Sequence, residues 1–146
     1  MSYWDTSTLV KLYAKEPDSS AFENFALTSP DAATTSRITL YEVRATFQRK
    51  EAEGILLTGA AQKLYAELLQ NIAAGEIRLV ELGADVEREY GQVLNHCYQQ
   101  HPPILVRTLD ALHLASARAA NQTELVATDK RMRDAAKLLG FSHFPV

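Results

Sequence analysis

Three times in this chain a short apolar or small-residue run gives way to apolar residues at helical spacing, and an acid stands at or near each corner. Met1 to Trp4 stops at Asp5; Ala32 to Thr35 leads into Ser36 and Thr39, with Glu42 close behind; Leu125-Val126-Ala127 ends at Thr128-Asp129. Short strands alternating with helices are the signature of a mostly parallel sheet packed between helix layers. In such a sheet the helices that follow the strands begin along one rim, so acids at those beginnings collect there. The expected fold is α/β, a three-layer α/β/α arrangement with a central, mostly parallel sheet of four to five strands.

Between the corners, apolar spacing predicts the helices. Leu9, Val10, Leu12 and Tyr13 form a first set, ended by Pro17-Asp18, and Ala21, Phe22, Phe25 and Ala26 a second, broken by Ser29-Pro30-Asp31. Ser36 and Thr39 open a third, with Leu40, Val43 and Phe47 on one face and Gly54 as its stop. Thr58 is the expected cap of a fourth, ended by Gly75, before a strand over Ile77 to Leu82. A fifth runs from about Asp85 to Gln100 and stops at His101-Pro102-Pro103. Thr108 is the expected N-cap of a small-residue helix carrying Asp110; Lys130 to Leu139 forms the last helix, and Phe141 to Val146 an edge strand. The helices from Leu9 to Phe47 hold more apolar residues than a small sheet can cover, which predicts an exposed apolar groove and a homodimer or partner complex.

With 146 residues and 47% hydrophobic content, one core is expected, in a single domain over residues 1–146. Cys97 is the sole cysteine, no leader pattern opens the sequence, and no apolar run reaches the length of a membrane span; a protein of a reducing cytoplasm, without membrane association, is the expectation. A net charge of −3 argues against coating nucleic acid by bulk charge but leaves room for a local basic border. Lys11, Lys15, Arg37, Arg44, Arg49, Lys130, Arg131, Arg133 and Lys137 sit in the helices that carry Asp5, Glu42 and Asp129; they form either that border or a solvated face.

Each acid has an ordinary explanation. Asp5 and Asp129 are placed to be N-caps, Asp110 to be a first-turn acid favoured by the helix dipole, and Thr39-Leu40-Tyr41-Glu42 fits a capping box. Taken together these explanations are poor, because four carboxylates on one rim repel unless a cation neutralises them, and oxygen donors suit a hard divalent ion. The four histidines lack zinc spacing; His113, one turn after Asp110, reads as a packed or supporting histidine rather than a ligand. Neither a glycine-rich phosphate loop nor a Gly-x-Ser-x-Gly elbow is present.

Four blocks in order then resemble the PIN-domain family, most closely its VapC-type ribonuclease toxins. They are Tyr3-Trp4-Asp5-Thr6-Ser7 with Leu9 to Tyr13, Ser36-Arg37-Ile38-Thr39-Leu40-Tyr41-Glu42, Asp110-Ala111-Leu112-His113-Leu114-Ala115-Ser116-Ala117, and Leu125-Val126-Ala127-Thr128-Asp129. The resemblance implies a metal-dependent endoribonuclease with Asp5 and Asp110 as principal Mg²⁺ or Mn²⁺ ligands and Glu42 and Asp129 completing the site. It also implies an antitoxin partner that inhibits cleavage of RNA. One departure stands out: the family often has Thr or Ser two residues before the last Asp, where this chain has Ala127, so the hydroxyl near Asp129 falls to Thr128. Ser7 is a second candidate hydroxyl beside the acids. Two alternatives remain open: a phosphoacceptor receiver-like domain, for which the paired early acids and late Lys-Pro are missing, and a non-catalytic interaction module with a degenerate acidic site.

Overall fold

In the computed structural model, which describes residues 1–146, the alternation takes the form β1 (Ser2–Trp4), α1 (Thr6–Val10), α2 (Ser19–Thr28), β2 (Ala33–Ser36), α3 (Arg37–Ala52), α4 (Ala60–Ala73), β3 (Ile77–Val80), α5 (Ala84–Tyr98), α6 (Thr108–Ala119), β4 (Glu124–Val126), α7 (Lys130–Leu138) and β5 (Ser142–Phe144). All strand pairs are parallel, in the order β3-β2-β1-β4-β5. The chain therefore builds outward from β1 in one direction and then returns to build outward on β1's other side. The switch lies between β1 and β4, where an open α/β sheet leaves a crevice at its carboxyl rim. Trp4 pairs with Val126 in that register, so Asp5 and Asp129 leave the sheet from neighbouring strands.

Alternation along the central strands assigns side chains to two cores. Tyr3 and Leu125 enter a cluster with Val93, Cys97, Leu114 and Met132, whereas Trp4 and Val126 enter one with Leu9, Phe22, Val43, Phe47 and Leu68. The period of two along a strand dictates this, since successive side chains point to opposite faces. Ala111, Ala115 and Ala117 are fully buried, which lets α6 lie close against its neighbours, and Leu114 beside them fills the core. A buried leucine of this kind contributes roughly 1.5–3 kcal/mol.

Much of the apolar surplus in the early helices goes into this second core, and part of it, Leu12, Tyr13, Ala26 and Leu27, lines an open cavity of about 390 Å³ with Ala33 of β2. Leu9, Val10, Val43 and Phe47 are buried, and the exposed apolar side chains nearby are Leu27, Tyr41, Ile55 and Leu57. Three predicted caps also move. Ser36, still extended at the end of β2, caps α3 by accepting from the Ile38 N–H, and Thr39 lies inside the helix, bonded to Thr35 at 2.7 Å. Arg107 rather than Thr108 precedes α6, and Gly59 rather than Thr58 precedes α4. There the free N–H of Ala61 is taken by Glu51 Oε1 from the preceding helix at 2.9 Å, so α3 supplies a cap that local sequence cannot reveal. The strand expected over Ile77 to Leu82 ends at Val80, and the Phe141 to Val146 edge pairs only over Ser142–Phe144, reached from α7 through Gly140 at φ +88°.

Candidate active site

Asp5 follows β1 with extended backbone and caps α1. Its Oδ1 accepts from the Thr8 N–H (3.0 Å), the Thr8 hydroxyl (2.7 Å) and the Ser7 hydroxyl (3.1 Å), while the Thr8 hydroxyl also reaches Val126 O on β4 at 2.8 Å. Asp5 is 5% exposed, and burial pushes its carboxyl above the ordinary 3.8, against the pull of the Thr8 and Ser7 hydrogen bonds. Asp129 repeats the local device on β4's side: it caps α7, with Oδ1 accepting from the Met132 N–H at 3.0 Å, but it is solvent-exposed.

Asp110 stands in the first turn of α6, as the sequence predicts. Its Oδ2 meets the Arg107 N–H at 3.4 Å and Arg107 Nε at 3.5 Å, both long contacts. Glu42 departs from its expected local role. Rather than reaching back to Thr39, it crosses to two other elements: Oε1 accepts from the Thr6 hydroxyl at 2.6 Å and from His113 Nε2 at 2.7 Å. Burial raises the Glu42 carboxyl, but the His113 and Thr6 hydrogen bonds outweigh it and hold the group below its ordinary 4.5.

His113 itself is 3% exposed, with Nδ1 at 2.6 Å from the Tyr3 hydroxyl. Burial, with the Asp5 charge adding to it, drives the Tyr3 hydroxyl pKa far upward, so Tyr3 keeps its proton. Glu42, held as a carboxylate, can only accept, so Nε2 donates to it, while Nδ1 pairs with the Tyr3 hydroxyl on the other side of the ring. Both ring nitrogens are thereby engaged within the chain.

All four acids line one cavity of about 530 Å³, together with Thr6, Ser7, His113 and Thr128. In each acid one oxygen is tied and the other accepts no hydrogen bond from the chain: Asp5 through Oδ1, Glu42 through Oε1, Asp110 through Oδ2 and Asp129 through Oδ1. No three of these side chains stand close enough to enclose an ion as they are placed. As donors, four carboxylates without sulfur or free imidazole match a hard cation in kind. Ala127 is fully buried in the first core, while Thr128 reaches the cavity wall, so the hydroxyl offset by one position is the one available here.

The basic border is only partly where the sequence suggests. Of the cations named there, Lys11 and Arg49 line the cavity, and Lys11 is already bound to Glu16 and Asp18. Arg37 turns to Glu81, Arg44 covers the Tyr65 ring with its guanidinium carbon 5.2 Å from the centroid, and Lys130 pairs with Asp134. Lys50 and Arg107 line the cavity without having been singled out. The signal for Lys50 was available: Glu42, Thr46, Arg49 and Lys50 recur at one- and two-turn spacing on α3 and all reach the cavity. Thr6 and Tyr3, whose hydroxyls set the Glu42 network, carried no such signal.

Known proteins resemble this chain over nearly all its length. A PIN-domain family model matches residues 2–138. Ribonuclease VapC46 of Mycobacterium tuberculosis is 30% identical over 142 residues, 96% of this chain and 93% of its own. VapC20 of the same organism, a toxin that cleaves the sarcin–ricin loop, shares the fold at a TM-score of 0.66 with 20% identity, covering 92% of this chain and 95% of its own. VapBC2 from Rickettsia felis, solved on a DNA fragment from its promoter, matches at a TM-score of 0.66 and 17% identity over 98% and 97% of the two chains. A family model spanning β1 to α7, together with a VapC ribonuclease alike along almost the whole chain, makes this protein a member of the PIN-domain family, in its VapC group.

Proposed function

We propose that the protein is a Mg²⁺- or Mn²⁺-dependent endoribonuclease, the toxin of a VapBC-type toxin–antitoxin pair, acting in the cytoplasm. The observation that carries this reading is the set of four carboxylates around one cavity, each with one oxygen anchored and one without a partner in the chain. Asp5 and Asp110 are the principal candidates to hold the ion, with Glu42 and Asp129 completing its shell directly or through water. Such an ion supplies Lewis acidity, making an attacking water more acidic and offsetting charge that builds at phosphorus. The chain's own part is to hold the acids in place. Ser7 and Thr8 pin Asp5, Thr6 and His113 pin Glu42, and the first turns of α6 and α7 present Asp110 and Asp129. Arg49, Lys50 and Arg107 at the cavity wall supply cations for a phosphodiester backbone.

Partners follow from the relatives. A toxin–antitoxin complex from Klebsiella pneumoniae shares the fold at a TM-score of 0.61, and a protein antitoxin is proposed for this chain on that basis. A homodimer is also proposed, motivated by exposed Leu27, Tyr41, Ile55 and Leu57. No helix is long and apolar enough to cross a membrane. A single catalytic domain over residues 1–146 is part of the same reading.

The test is cleavage of structured RNAs by the purified protein in magnesium and in EDTA, beside Asp5→Asn. Cleavage that needs the divalent ion and disappears in the variant is the expected result. RNA left intact under both conditions, with an unchanged melting temperature on adding magnesium, would favour the non-catalytic module instead, a reading that the spacing of the acids also fits.

A further inference from the structure

The hydrogen-bond chain that ends on Glu42 begins deep in the core. Tyr3 is fully buried on β1, His113 is 3% exposed on α6, and the two bonds from Tyr3 to His113 and from His113 to Glu42 measure 2.6 and 2.7 Å. A buried polar chain is costly when any member lacks a partner, and this one is satisfied at every step as far as the cavity wall. The imidazole meets the Tyr3 ring edge-on at 5.9 Å and 63°, so it cannot turn without breaking both bonds. Glu42 has the most rotamer freedom of the three. Its side chain is 28% exposed, it has three rotatable bonds, and its only anchors, Thr6 and His113, come from other elements. Thr6 directly follows Asp5, so the start of α1 restrains two of the four acids at once.

We propose that His113 and Thr6, with Tyr3 behind His113, are positioning residues that clamp Glu42 by one oxygen and leave the other available to the cavity. His113 acts by presenting its Nε2 hydrogen to Glu42, not by touching ion or RNA. This rests on the ribonuclease reading above. Its chemical consequence is preorganisation: a glutamate already oriented for its ligand need not be ordered during binding or in the transition state.

Two amide replacements separate positioning from packing. In His113→Gln the amide nitrogen lies as many bonds from Cβ as Nε2, so it can still donate to Glu42. In His113→Asn the amide reaches only as far as Nδ1, so it can still meet Tyr3 but not Glu42. The expected result is that His113→Gln keeps kcat within about threefold while His113→Asn loses about 10- to 100-fold, the usual range for removing a residue that orients a ligand. KM for RNA should stay within about twofold in both, since His113 is 3% exposed and both its ring nitrogens are taken up by Tyr3 and Glu42. In a Glu42→Gln background, His113→Asn should cause no further loss, because the group it serves is already gone. Should His113→Asn fail to fold, Thr6→Val, which keeps the side-chain shape and removes the other donor, reads the same fall in kcat.

Equal activity of the Gln and Asn variants, or losses that multiply in the Glu42→Gln background, would overturn the positioning role while leaving the ribonuclease reading intact. A parent protein that fails to cleave RNA in magnesium, or an Asp5→Asn variant that cleaves like the parent, would overturn both.

Discussion

The corners after β1 and after β4 are built alike and behave differently. In each, an aspartate with extended backbone caps the next helix, accepting from the N–H three residues on at 3.0 Å. Asp5 adds the Ser7 and Thr8 hydroxyls and is 5% exposed; Asp129 is followed by Lys130, Arg131 and Met132, has no hydroxyl on it and faces solvent. The same motif is therefore a strongly desolvated, multiply anchored carboxylate at one corner and a water-bathed cap at the other. A cap motif gives the direction of a carboxylate, and burial decides what that carboxylate costs and what it can do.

The largest expected effect is on cleavage. Asp5→Asn should reduce RNA cleavage by about 10³-fold or more, the equivalent of several kcal/mol of transition-state stabilisation, while Asp129→Asn should lose about tenfold. Single-turnover rates in saturating magnesium check this, and equal losses would erase the distinction between the corners.

Stability should divide the corners in the same sense. Thr8→Val removes the buried hydroxyl that donates to the Asp5 carboxylate at 2.7 Å, and should cost about 1–3 kcal/mol. Asp129→Ala loses one exposed cap and should cost about 1 kcal/mol, and Asp129→Asn only a few tenths because asparagine caps nearly as well. Urea melts in EDTA measure all three; an Asp129→Ala cost equal to that of Thr8→Val would mean that burial adds nothing at the first corner.

The pH dependence of the metal-free protein should sharpen the contrast by bringing in Glu42. Asp5 has a folded pKa above its ordinary 3.8, so its protonated form favours folding: that contribution is present below 3.8 and is lost as pH rises through the folded value. Glu42 runs the other way, since its folded pKa lies below 4.5; its stabilisation is present above 4.5 and is lost as pH falls through the folded value. In EDTA, Asp5→Asn should therefore remove a decline in stability on going from acid toward neutral, and Glu42→Gln should remove a rise. Melting curves from about pH 3 to 7 would contradict this assignment if the two variants changed the profile in the same direction.

The smallest effects concern the border. Lys50→Ala and Arg49→Ala should each weaken binding to all RNAs alike and reduce the salt slope of affinity by about one, whereas Arg37→Ala, committed to Glu81 outside the cavity, should leave the slope unchanged. Binding titrations across a range of salt concentrations distinguish them.

Much of the site was legible before folding was considered. Asp5, Asp110 and Asp129 are marked by local chemistry, an acid at the point where helical spacing begins, and the structure finds them at those points. Glu42 was legible as a residue but not as a contact. Its local pattern with Thr39 competes with longer-range partners, and Ser36 takes the capping position because the chain is still extended there when it leaves β2. Caps that come from elsewhere, such as Glu51 on Ala61, leave no trace in neighbouring residues, and the cations Arg37 and Arg44 were diverted to Glu81 and Tyr65 for the same reason.

What the sequence by itself determined is the alternation of strands and helices, the parallel sheet this requires, and the placing of acids at helix beginnings. These follow from periodicity, caps and breakers, which act over a few residues. Tertiary structure alone decided that β1 lies at the centre with β4 at its side, that one corner is dry and the other wet, and that His113 and Tyr3 stand behind Glu42. Those last contacts join residues 71 and 110 positions apart, and their geometry is set by how α6 packs on the sheet, which no local preference encodes.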